Sequence, residues 1–136
     1  TDMGFATQLV RARLRGLQGL ILEFNHDLPM LLDGPYPWAI KQRIRGKLGH
    51  LSNKDAAGLL EEVASQDLEW VICAHMSQKN NDKEIVVHEA RGALAGLSNV
   101  LRRPSSASLH VASQGEPTPI FGPGGLHIPG TFEGRA

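Results

Sequence analysis

Two short runs, Leu20-Ile21-Leu22-Glu23-Phe24 and Glu69-Trp70-Val71-Ile72-Cys73, limit what this chain can fold into more than any other feature. Each is dense in apolar and β-branched side chains, the character of a buried strand, and each gives way within two residues to a polar group carrying a histidine. Capped amphipathic stretches lie before, between and after them. The resulting β-α-β rhythm predicts an α/β domain, a mixed sheet with outer helices. Helices are expected near Phe5 to Arg15, Pro37 to Arg45, Lys54 to Ser65 and Lys83 to Leu97, with a helical turn over Leu28 to Leu32 closed by Asp33-Gly34. Ser108 to Ser113 alternates as a third strand, and Thr118-Pro119-Ile120-Phe121 reads as a short partner to it.

The apolar spacing inside these stretches predicts the core. Ala56, Leu59, Leu60 and Val63 form the stripe of the helix after Ser52; Ile85, Val86, Ala90, Ala93, Leu94 and Leu97 form that of the helix capped by Asn80-Asn81-Asp82. From Gly122 onward the chain is rich in glycine and proline and poor in apolar surface, so the organised domain is expected over 1–121 and an unordered tail over 122–136.

Polar residues collect where strands end. Asn25-His26-Asp27 follows the first strand and Ala74-His75-Met76-Ser77 follows the second, which is where open α/β sheets build their sites. A third group, Gly49-His50-Leu51-Ser52-Asn53, sets an imidazole just before a helix that Ser52 or Asn53 can cap. Helix N-termini favour anions such as phosphate, which suits a catalytic histidine; a capped turn with no further role accounts for the same spacing. His88 reads as a surface or packing residue of its helix, His110 as structural on an edge strand, and His127 carries no function.

With 136 residues, 41% of them apolar, the chain holds one domain with a respectable core. Zero formal net charge gives no reason to expect nucleic-acid binding by the chain as a whole. Before Ser52, however, Arg11, Arg13, Arg15, Lys41, Arg43, Arg45 and Lys47 outnumber Asp2, Glu23, Asp27 and Asp33, the mark of a solvated helix face or of a phosphate track. Cys73 is the only cysteine, which excludes a disulfide framework and a cysteine zinc site and makes a reducing, cytoplasmic setting the default. No apolar run approaches the roughly 20 residues that span a bilayer, so no membrane partner is expected. The chain begins at Thr1, as a processed chain or a piece of a longer one would.

Taken in order, Thr1-Asp2-Met3-Gly4-Phe5-Ala6-Thr7, Leu22-Glu23-Phe24-Asn25-His26-Asp27, Gly34-Pro35-Tyr36-Pro37-Trp38, Gly49-His50-Leu51-Ser52-Asn53, Ala74-His75-Met76-Ser77 with Asn80-Asn81, and Val111-Ala112-Ser113-Gln114 with Pro117-Thr118-Pro119 resemble the C-terminal half of a metallo-β-lactamase-fold phosphodiesterase. The similarity is nearest to the WalJ/YycJ-like exonuclease branch, related to tRNase Z, and runs from Thr1 to about Phe121. It implies half of an αββα sandwich. It also implies a two-metal centre, zinc or manganese, with Asp2 as the carboxylate bridging both ions, His75 as the last histidine ligand, and His50 as the catalytic histidine that contacts the scissile phosphate and protonates the leaving oxygen. Glu23, Asn25, His26, Asp27, Ser52, Asn53 and Ser77 fall to substrate contact or to support behind the ligands. The family's His-x-His-x-Asp-His signature has no counterpart in these residues. The resemblance therefore implies that an upstream half, in the same or a separate chain, supplies the remaining ligands, and that this chain alone is inactive.

Three functions of different classes compete on these grounds. One is a fragment of a metal-dependent phosphodiester hydrolase, a nuclease or exonuclease acting on nucleic acid or a small phosphodiester. Another is a non-catalytic half-domain that dimerises or serves as an interaction module, and the last is an unrelated α/β domain whose histidines are all structural.

Overall fold

The structure is a computed structural model that describes residues 2–101, 107–122 and 125–127. Its centre is a three-stranded sheet of β1 (Gly19–Glu23), β2 (Trp70–Ala74) and β3 (Ser108–Val111), in the order β1-β2-β3 and parallel at both pairings. The register sets Ile21 beside Ile72 and Ile72 beside His110. Antiparallel pairing is confined to a separate ribbon of β4 (Ile120–Gly122) and β5 (Gly125–His127).

Five helices connect or flank the strands: α1 (Gln8–Leu14), α2 (Leu28–Asp33), α3 (Trp38–Ile44), α4 (Asn53–Val63) and α5 (Lys83–Gly96). Four begin on a side-chain cap of the type that accepts an orphan N–H, from Thr7, Asp27, Ser52 and Asp82 in turn. The two longest, α4 and α5, pack on each other and on one sheet face. Leu20, Leu22, Phe24, Val71, Cys73 and Val111 from the sheet meet Ala56, Leu59, Leu60, Val63, Val86, Ala90, Ala93 and Leu94 there, in one continuous core.

The other face of the sheet is covered unevenly. Phe121 of β4 lies against the rings of Trp70 and His110, at 5.4 and 5.7 Å between centroids. Ile21, in the middle of β1, is 62% exposed although both its chain neighbours are buried.

Three expectations change. Ile120-Phe121 does not pair with Ser108–Val111: β3 spends its ladder on β2, and β4 takes the nearby β5, the closure with the smaller loop entropy. Much of the expected tail lies outside the described residues, and Gly125–His127 within it is that paired strand. The first helix begins later than expected, at Gln8 and not near Phe5, because Thr7 is its cap. Val10 and Leu14 pack against the core, whereas Phe5 and Leu9 face solvent.

Candidate active site

The segment that leaves β1 is threaded between two loops. On one side Phe24 N–H donates to Ala74 O at 3.0 Å and Ser77 N–H donates to Asn25 O at 2.8 Å; on the other Asn25 N–H donates to Leu51 O at 3.2 Å and Asn53 N–H to His26 O at 2.8 Å. Sheet-like pairing thus continues beyond the strand and brings the loop of His50 and the loop of His75 to opposite flanks of Glu23. The histidine loops are held in turn. His50 N–H donates to Ile44 O at the end of α3, and the Asn25 amide donates to the His75 carbonyl, each at 2.8 Å.

Glu23 is buried, at 4% exposure, and its carboxylate is where the site converges. Oε1 lies 2.6 Å from His50 Nδ1 and 3.0 Å from His75 Nδ1, while Oε2 accepts from Met3 N–H at 3.2 Å. A buried carboxylate is tolerable only with such partners. The two contacts are of hydrogen-bond length, and because an ionised carboxylate only accepts, each is a hydrogen bond where the ring carries its proton on Nδ1. The imidazoles meet edge to face with centroids 5.0 Å apart.

Asp2 closes the group from the solvent side. Its Oδ1 stands 3.6 Å from His50 Nδ1 and 3.5 Å from His75 Nδ1, too far for a hydrogen bond but within the span of a shared ligand. Asp2, Glu23, His50 and His75 each offer a donor atom, all within 4.8 Å of one another. Carboxylate oxygen with imidazole nitrogen is a donor set that suits zinc or manganese, so these residues fit a divalent ion.

Two further features bear on the geometry. Asp2 and His75 are the described non-glycine residues with positive φ, both at 56°, a left-handed conformation that Asp and His tolerate better than most and that collects at functional sites. Backbone also meets backbone where the Asp2 loop crosses the His50 loop. A Cβ on Gly4 would stand 2.0 Å from Gly46 O, and one on Gly49 would stand 2.1 Å from Ile44 O. The role of Gly49 is close approach to the end of α3, and the role of Gly4 is what lets Asp2 reach the histidines.

The remaining expected site residues have other partners. Asp27 caps α2 and Ser52 caps α4, accepting from Met30 and Asp55 N–H. Asn53 is buried and exchanges two amide hydrogen bonds with Asn81, at 2.8 and 2.9 Å, and Asn81 also donates to Phe24 O. Ser77 Oγ accepts from Asn80 N–H. His26 is buried outside the cluster, with Nδ1 unpartnered among the described residues; burial pushes its pKa below the usual value, against the pull of Asp55. Cys73 is buried in β2 and its thiol is pushed up to about 12 by burial, so it is inert.

A cleft of about 300 Å³ opens beside the cluster, with His50, His75, Asn25, Tyr36, Lys79 and Asn80 among its lining residues. Tyr36 and Lys79 belong to no motif role expected above. The Gly-Pro-Tyr-Pro-Trp stretch holding Tyr36 was a visible signal, whereas Lys79 is recognisable only once the fold brings it over that ring.

No family model matches the chain. Over 85 residues, 62% of its length, it is 38% identical to an exodeoxyribonuclease YycJ of Bacillus anthracis, and 35% identical to the exodeoxyribonucleases WalJ of two strains of Streptococcus pneumoniae. These relatives are of the WalJ/YycJ branch. The matched region is 32% of each relative, so the chain spans about a third of the length of the curated proteins it matches. Among the described residues no helix is long and apolar enough to cross a membrane.

Proposed function

We propose that this chain carries part of the active site of a metal-dependent phosphodiester hydrolase acting on nucleic acid, with DNA the first substrate to test. One observation carries the reading: Asp2, His50 and His75, far apart in sequence, close around the buried carboxylate of Glu23. The names of the relatives support the reaction class.

In this reading Asp2 and His75 would hold the divalent ions, Asp2 as the carboxylate shared between them and His75 as an imidazole ligand. When bound, the divalent ions supply the positive charge that activates water and offsets charge on the phosphate oxygens. His50 gives a proton to the leaving oxygen. Glu23 is a positioning residue: its carboxylate sets the ring orientation of both histidines. Asn25 holds the His75 loop. The exposed sheet face around Ile21 is where the remainder of the domain would pack, bringing the other ligands, in a cytoplasmic setting. A non-catalytic module that uses the same face to bind a second copy is the alternative.

Turnover of a generic phosphodiester and of a single-stranded DNA with manganese or zinc separates the two. The protein joined to its upstream half should be active; His50→Ala should lose mainly turnover, and His75→Ala mainly metal occupancy by calorimetry. Metal-dependent turnover by this chain alone, unchanged by His75→Ala, would refute the assignment.

A further inference from the structure

The cleft beside His50 and His75 carries chemistry that the phosphodiester reading leaves unused. Lys79 Nζ lies 5.5 Å from the ring centroid of Tyr36, both side chains line the cleft, and the same cleft is lined by the two histidines. A cation beside an aromatic ring is the pairing that holds single-stranded nucleic acid, the ring stacking on a base and the ammonium meeting a phosphate. The wall between them is polar, from Asn25 and Asn80. Asn80 is almost completely buried, and its Oδ1, which has no hydrogen-bond partner among the described residues, lies close to Gly34.

The pattern recurs next to the cleft. Trp38, two residues after Tyr36, is exposed with the guanidinium of Arg45 5.6 Å from its ring centroid. Trp38 opens α3 and Arg45 is the residue that closes it, and Arg43 near the end of the same helix is exposed as well. Trp38 is exposed and Tyr36 half-buried, and each ring has a basic group beside it.

We propose that Tyr36 and Lys79 form a nucleotide subsite: Tyr36 stacks on the base adjoining the scissile phosphate, and Lys79 pairs with the next phosphate. The subsite rests on the phosphodiester reading but is tested by binding, without turnover. It makes the site a reader of unpaired strands, because a base inside a duplex cannot present its face to Tyr36.

The experiment measures binding of this chain to fluorescent oligodeoxythymidine, to an abasic strand of equal length and to the matching duplex, by anisotropy in EDTA over a salt series, with inorganic phosphate as competitor. Wild type should bind the thymidine strand about tenfold more tightly than the abasic one. Tyr36→Ala should abolish that difference and Tyr36→Phe restore it. Lys79→Ala should weaken both strands alike and lower the salt slope by about 0.7. Circular dichroism verifies folding of each variant.

Equal binding of the thymidine and abasic strands by wild type, or an unchanged preference in Tyr36→Ala, would overturn the subsite; so would competition by inorganic phosphate that removes all binding at stoichiometric levels. Its failure is separable from that of the catalytic reading. A protein that hydrolyses phosphodiesters without base preference keeps the reaction and loses the subsite, and one that stacks bases through Tyr36 but shows no metal-dependent hydrolysis does the reverse.

Discussion

At the scale of single residues, the decisive group is a carboxylate in a strand that reads as apolar. Glu23→Gln preserves shape but removes the charge and turns one of the two acceptor oxygens into a donor, so a single neutral oxygen cannot serve both the imidazoles and Met3 N–H as the carboxylate does. In the active assembly this change should lower metal affinity by about 10–100-fold, measured by calorimetry, with little loss of melting temperature. His26 gives a different signal. Its pKa is lowered by burial, with Asp55, Glu23 and Asp27 opposing and His50 assisting. The unfolded chain therefore binds a proton here at a higher pH than the folded chain does. Stability is complete above the unfolded value of about 6.5 and declines as pH falls below it. Thermal melts at pH 7.5 and 5.5 should differ in that sense, and His26→Gln should flatten the difference. An acidic residue in an apolar run is visible in sequence; that its partners are histidines in two later loops is not, because that depends on which loops flank the strand end.

At the scale of elements, the strands and caps were legible because local chemistry decides them. β1, β2 and β3 follow from their apolar runs, and Ser52 and Asp82 from side chains that accept N–H groups a helix cannot satisfy itself. Contacts between elements were less so. The Asn53–Asn81 pair ties the start of α4 to the start of α5 and, through Phe24 O, to the end of β1. Two asparagines beside caps look like capping residues until burial shows them bonded to each other. Asn81→Ala should cost about 1–3 kcal/mol by denaturant unfolding, since it strands the buried Asn53 amide. Adding Asn53→Ala should cost less than the sum of the single changes, as expected for partners in one network. The antiparallel pairing of β4 went unread for a like reason: its partner, the short Gly125–His127, lies in a glycine-rich stretch with no strand signature.

At the scale of the whole molecule, one sheet face is filled by α4 and α5 and the other is open around Ile21. On the proposed reading this asymmetry sets the order of assembly: the helical face supplies stability, and the open face supplies activity by meeting the remaining half. Leu60→Ala, in the filled face, should destabilise this chain by about 2–5 kcal/mol. Ile21→Lys should leave its melting nearly unchanged while preventing complementation by a separately expressed upstream half, measured as recovered metal-dependent turnover. Half of a sandwich, as the resemblance implies, leaves one sheet face uncovered; that Phe121 shields Trp70 and His110 while Ile21 stays bare required the register.

The crossing of Gly4 over Gly46 offers a way to switch the site off with its chemistry intact. A methyl group at position 4 has no room, so Gly4→Ala must lift the loop of Asp2 from the loop of His50 while every ionisable side chain stays in the sequence. Such a variant is an ideal blank for crosslinking, titration and genetic complementation. It carries the same charges and the same histidines as the parent, while the backbone contact between the two loops that bear the site is forced apart.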